Sequence, residues 1–182
     1  MVMRAHPGLL TSLLLAVALV LTGCSDDDGP ARGKDPVTAS NLADVELDDD
    51  LGCGYGFAAT DSAERVLLVI RPKHDATDAV RRTVTLPDPD WSAEVRTGTN
   101  LAANWCNDVI TDPEAEVEET WEVVGGTLTF AGDLPTTDRV DIGSPEEVRA
   151  ELTGLVVEGP DGERVELGDL SLRNKLWGVF AG

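Results

Sequence analysis

The chain predicts an all-β protein, an antiparallel β-sandwich of about eight to ten strands. Three observations predict it. Between residues 41 and 182, apolar side chains recur at every second position in short runs. Gly, Pro and Asp clusters interrupt those runs every ~8–15 residues, as turns do between short strands. Helical spacing is nearly absent, and no repeat of about 20–50 residues is visible.

Taken in order, Cys53, Tyr55, Phe57 and Ala59 share one face of a strand, with Gly52, Gly54 and Gly56 on the other. Glycine at alternate positions lets another backbone or ring approach a strand face closely. Val66-Leu67-Leu68-Val69-Ile70, enclosed by Arg65 and Arg71, is a continuous apolar run of the kind found at the centre of a sheet. Val80, Arg82, Val84 and Leu86 alternate next, and Pro87-Asp88-Pro89-Asp90 turns the chain. Trp91, Ala93 and Val95 follow, then Leu101, Ala103, Trp105, Asn107 and Val109.

Within Trp121–Phe130, Gly125-Gly126 predicts a two-residue hairpin, because both central positions tolerate positive φ. Its register sets Val123 against Leu128 and Trp121 against Phe130 on the inner face, with Glu122 opposite Thr129 outside. Glu158-Gly159-Pro160-Asp161-Gly162-Glu163 predicts a second hairpin whose return strand carries Val165 and Leu167. Leu170, Leu172, Trp177, Val179 and Phe180 supply the last strands. One segment is ambiguous: Ser144-Pro145-Glu146-Glu147 carries helix-start signals. Val148, Leu152 and Leu155 then suit a helix, whereas Val148, Ala150 and Leu152 suit a strand; a strand after at most one helical turn is preferred. The arrangement expected is immunoglobulin-like or jelly-roll-like, with the tryptophans and a cysteine pair near its centre.

Charge restricts the partners. The 182 residues hold 34 acidic and 14 basic side chains, a net charge of −20. Such a balance repels nucleic acid phosphates and disfavours docking on anionic lipid through a basic face. The 42% hydrophobic content is enough for a core.

The N-terminus is an address. Arg4 and His6 precede an apolar stretch, Leu9–Leu21, too short for the ~20 residues of a bilayer-spanning helix and suited to a secretory signal. It runs into Leu21-Thr22-Gly23-Cys24, which resembles the lipobox of bacterial lipoproteins. That resemblance implies removal of residues 1–23 and lipidation of Cys24, with acyl chains holding the protein in the bilayer. The mature chain would keep thirteen bases against 34 acids, a charge of −21. Residues 24–40 read as an acidic, flexible tether and 41–182 as the β domain. The location implied is the cell membrane, lipid-anchored, on its extracytoplasmic face. The two cysteines left, Cys53 and Cys106, are an even pair in an exported chain and predict a disulfide.

The mature chain then has no Met and one His, His74, so copper and zinc sites built from His, Met or thiolate clusters are excluded. No cofactor and no metal site is expected. His74-Asp75 lacks a Gly-x-Ser-x-Gly elbow for a triad, and Gly52-Cys53-Gly54-Tyr55-Gly56 lacks the following helix of a nucleotide-binding turn. Asp44–Asp50 and the seven acids of Asp108–Glu122 have no Ca²⁺-loop spacing. The candidate ligand patch is Arg71, Lys73, His74, Arg81 and Arg82, bases concentrated on an anionic chain; pairing with nearby acids is the alternative. The tryptophans suit the core, Trp91 least clearly, and an exposed sugar-stacking platform is their other reading. The function expected is a non-catalytic binding or interaction module that meets an envelope protein or polymer. A cell-wall or carbohydrate hydrolase using paired carboxylates, and a structural envelope component, are the alternatives.

Overall fold

A computed structural model describes residues 35–73, 83–103, 105–106, 113–131 and 147–178. A one-turn helix, α1 (Ala39–Leu42), precedes eight strands: β1 (Asp49–Asp50), β2 (Phe57–Thr60), β3 (Val66–Pro72), β4 (Thr83–Leu86), β5 (Trp91–Thr99), β6 (Glu116–Phe130), β7 (Val148–Glu158) and β8 (Arg164–Asn174). Every strand pairing is antiparallel. The strands form one sheet in the order β1-β2-β3-β5-β6-β7-β8, with β4 on the far half of β6. The all-β, antiparallel class is therefore as expected. Among the described residues the strands form a single hydrogen-bonded sheet that curls on its apolar face, and no separate second sheet is present.

The curl has a local cause. Gly125-Gly126 does not form the expected hairpin. β6 runs straight through it, because β7 continues the ladder on one side while β5 and then β4 take the other. The register slips between Val123 and Gly125 and again between Gly125 and Thr127, so the two glycines make bulges and not a reversal. Gly126 has φ +136°, and the neighbouring strands carry Gly154 at +61° and Gly168 at +80° at the same level. These three positions, which L side chains rarely adopt, make a crease across β6, β7 and β8. Beyond the crease the far half of β6 faces back over the sheet, so Phe130 meets Phe57 of β2 at 5.8 Å between ring centroids and Trp91 of β5 at 5.7 Å. Trp121, Val123, Leu128 and Phe130 are all buried; their inward orientation is as expected, although they do not pair with one another.

Other elements follow the sequence closely. Val148–Glu158 is a strand, and Glu158 pairs Arg164 across the second hairpin, closed by Gly159 N–H to the Glu163 carbonyl at 2.9 Å. Leu101, Ala103 and Trp105, expected in a strand, instead lie in turns. β5 ends at Thr99, and Asn100 takes the left-handed region at φ +52°. The segment then folds back over the outer face of β2 and β3, where Leu101 packs with Ala58, Leu67 and Val69. This cover explains why β3 is apolar on both faces: Leu68 and Ile70 face the concave core, Leu67 and Val69 the cover. Cys53–Cys106, with Cα atoms 5.7 Å apart, and a hydrogen bond from the Trp105 indole to the Leu51 carbonyl tie the cover down. The Val80, Arg82, Asn107, Val109, Val179, Phe180 and Ser144–Glu146 expectations lie outside the described residues, as do residues 1–34.

The sheet's first and last strands meet at a seam. The strand expected from Cys53 begins only at Phe57, because Cys53–Gly56 is a turn with Gly54 at φ +57°. Into this turn projects Asn174, fully buried at the end of β8. Its amide donates to the Gly54 carbonyl at 3.0 Å and the Gly56 carbonyl at 2.6 Å, and its Oδ1 accepts from Leu176 N–H at 2.7 Å. Gly178 N–H adds a bond to the Gly54 carbonyl at 2.8 Å. One residue earlier, Arg173 donates its N–H and Nε to the two oxygens of Asp50 at 3.1 and 3.0 Å. A Cβ on Gly52 would lie 2.4 Å from the Asn174 Cα, so the alternate glycines do permit a close backbone approach.

Replacing Asn174 by Ala takes the amide from the buried Gly56 carbonyl and the acceptor from Leu176 N–H, and leaves the Gly54 carbonyl with Gly178 N–H alone. We expect Asn174→Ala to lower unfolding stability by about 2–4 kcal/mol, read from denaturant melts. A loss under ~0.5 kcal/mol would mean that the seam contributes little.

Candidate anion-binding end

Eight basic side chains lie among the described residues. Five are arginines in ion pairs: Arg65 with Asp61, Arg96 with Glu94, Arg149 with Glu147, Arg164 with Glu158 and Arg173 with Asp50. The other three, Arg71, Lys73 and Lys175, make no ion pair among the described residues. In a chain with 34 acids such cations stand out.

The fold brings them to one end. Arg71 is the last residue but one of β3, opposite Ser92, and Lys73 follows the strand with its N–H on the Asp90 carbonyl at 2.8 Å. A Cβ on Gly56 would touch the Arg71 Cβ at 3.0 Å. Gly56 also accepts from Asn174, and Lys175 is the next residue. The seam thus gathers Arg71, Lys73 and Lys175 around the Cys53–Gly56 turn. All three side chains are exposed. Leu176, next in sequence to Lys175 and one of two exposed large apolar side chains among the described residues, is 41% exposed. Behind it, Trp177 is buried against half-buried Tyr55 in an edge-on ring contact with centroids 5.8 Å apart.

Glu147 registers the field of this end. It precedes Val148, which pairs Asn174. Its carboxyl is held below the usual carboxylate range, chiefly by the hydrogen bond from Arg149. Desolvation opposes this, and the positive charges of Arg149, Arg173 and Lys175 each add a lesser lowering.

The opposite end is acidic. About 20 Å away at the start of β3, a cleft of about 390 Å³ is lined by Asp44, Glu46, Asp48, Asp61 and Arg65 among others. Asp61 is buried and committed to structure. One oxygen accepts from Arg65 N–H at 2.6 Å and Val66 N–H at 2.9 Å, the other from Arg65 Nε at 3.1 Å. This leaves it unsuited to acid–base chemistry. Among the described residues no group of three His, Cys, Asp or Glu side chains is placed to hold a metal ion.

Of the patch expected from sequence, Arg71 and Lys73 stand close together at the end of β3, with no ion pair among the described residues. His74, Arg81 and Arg82 lie outside the described residues, as does Cys24. Lys175 and Leu176 were not foreseen, because only seam closure sets them beside a segment a hundred residues earlier. The signal available was their clustering with Arg173 just beyond an apolar strand. Trp91, Trp121 and Trp177 are buried and Trp105 is half-buried over the β2–β3 face. They form no exposed stacking platform, and Trp91 belongs to the core despite its place after the Asp-Pro turn. Compared with known proteins, the chain matches no family model, no curated protein and no solved structure.

Glu147 titrates lower folded than unfolded, so its contribution to stability is present at neutral pH and is lost as pH falls through the folded value. Arg149→Gln is expected to return the Glu147 carboxyl towards its ordinary range, and Lys175→Gln to move it less in the same direction. NMR titration of the side-chain carboxyl carbon checks both.

Proposed function

We propose that this chain is a lipid-anchored, non-catalytic binding module of the cell envelope whose Arg71–Lys73–Lys175 end meets an anionic polymer or an acidic protein surface. The observation that carries the reading is the convergence of those three exposed cations, unpaired among the described residues, on one end of an otherwise anionic domain. Exposed Leu176 beside them supplies an apolar contact, which a purely solvating charge would not need.

The anchor reading rests on the lipobox-like Leu21-Thr22-Gly23-Cys24. It is compatible with the way the chain enters the domain. Asp35, the first described residue, offers its carbonyl to Arg65 at 3.4 Å, at the start of β3 and so at the acidic end. A domain tethered there and repelled by anionic headgroups would hold its basic end away from the bilayer. In this reading the fold is a sandwich of an unusual kind, one sheet creased so that its two halves face each other.

Two experiments test the proposal. Cys24→Ala should move the protein from the membrane fraction to the soluble fraction and remove the acyl mass from its N-terminus; retention in the membrane would contradict the anchor. Arg71→Glu with Lys73→Glu and Lys175→Glu should weaken binding of a polyglutamate or polyphosphate probe to the membrane-held protein by about tenfold at low salt. Bound polyanion should also raise the Glu147 pKa by screening its basic neighbours. Unchanged binding and an unmoved Glu147 would overturn the ligand assignment.

A further inference from the structure

The longest strand is only partly covered. β6 pairs β5 from Glu116 to Glu122, but β7 joins its other edge only from Glu122 onward. At Trp121 that edge meets the Gly159–Glu163 turn, since a Cβ on Gly159 would lie 2.8 Å from the indole. Glu116–Thr120 are therefore strand residues with one edge unpaired among the described residues, and all five are exposed. Successive residues of a strand turn their N–H and C=O groups to opposite sides, so apart from the bulge opposite Thr97 and Gly98 roughly half of these residues present both groups outward along ~17 Å of edge. An open edge of this length is a template for another strand.

We propose that the open edge of Glu116–Thr120 binds an extended, Lys- or Arg-bearing segment of a partner protein by strand addition. Charge selects this occupant. Glu116, Glu118 and Glu119 line the edge, make no ion pair among the described residues, and have no base between them. A second copy added edge to edge would set these glutamates against their counterparts, and like charges directly opposite are destabilising. A segment alternating basic and apolar residues satisfies the same edge. The register slip opposite Thr97 and Gly98 makes Glu118 an extra residue in β6, so Glu116 and Glu119 lie on one face and Val117 on the other. The segment's cations meet those glutamates and its apolar side chains meet Val117, which is 47% exposed. Main-chain bonds would give such a complex its affinity, and side chains its selectivity. The site is independent of the Arg71–Lys73–Lys175 end and requires a partner of opposite sign.

The test titrates the ¹⁵N-labelled full chain in detergent with a short peptide of alternating Lys and Val. A second peptide has the same charges but is N-methylated at alternate amides, which removes the donors needed for pairing. The result expected is a one-to-one complex in which the Glu116–Thr120 amides shift and exchange about tenfold more slowly. The N-methylated peptide should bind about tenfold more weakly, as should the first peptide to a Glu118→Lys, Glu119→Lys variant with an unchanged melting curve. Equal binding of the N-methylated peptide would reduce the effect to unspecific charge attraction and overturn the proposal. So would shifts spread over other acidic strands, or self-association of the chain that the peptide displaces.

Discussion

The structure depends on the side-chain amide of Asn174. A curled sheet with unmatched edges has a row of unpaired backbone groups at each margin and a core open along one side. Asn174 closes that side. Its two amide hydrogens serve the Gly54 and Gly56 carbonyls, and its carbonyl oxygen takes Leu176 N–H. A hydrocarbon side chain could fill the volume but would leave the buried Gly56 carbonyl and the Leu176 N–H without this partner and the Gly54 carbonyl with Gly178 N–H alone, which costs more than packing returns. The close approach also requires Gly52, where any Cβ would collide with Asn174. Arg173 with Asp50 and Gly178 with Gly54 extend the seam on either side.

Closure and curl are linked. Gly126, Gly154 and Gly168 bend β6, β7 and β8 at one level, which carries the end of β8 round to the start of the sheet. The aromatic contacts Phe57–Phe130, Phe57–Trp177 and Phe130–Trp177 then bridge the two halves. On the outer face Leu101 and Trp105 shield Ala58, Leu67 and Val69, and the Cys53–Cys106 disulfide ties this cover to the turn that receives Asn174. The disulfide, the cover and the seam thus meet at Cys53–Gly56.

Much of this was legible in the sequence, and the failures share one cause. Period-two patterning identifies Val84 and Leu86, Val148 through Leu152, and Leu170 and Leu172 as strand residues, because alternation reports which side of a strand is buried. The apolar run Val66–Ile70 signals burial on both sides without saying what supplies the second cover. Gly125-Gly126 has a hairpin's local chemistry, yet a bulge needs the same conformational freedom. Only the presence of partners along both edges of β6 decides between them, and that is a long-range fact. Leu101–Trp105 alternates like a strand, but the left-handed Asn100 redirects it. At the basic end, Arg71 and Lys73 can be read as unusual in an acidic chain, whereas Lys175 and Leu176 join them only through the seam.

The closed seam brings Lys175 to Arg71 and Lys73, about a hundred residues earlier in the chain, and sets the three cations ~20 Å from the acidic end at the start of β3. Native-state hydrogen exchange tests this most directly. If the seam is an integral part of the closed sheet, the Leu176 and Gly178 amides should exchange only through global unfolding, with the same opening free energy as Val69 and Ile70 in β3. Exchange of those two amides through a much cheaper local opening, while β3 stays protected, would contradict the account.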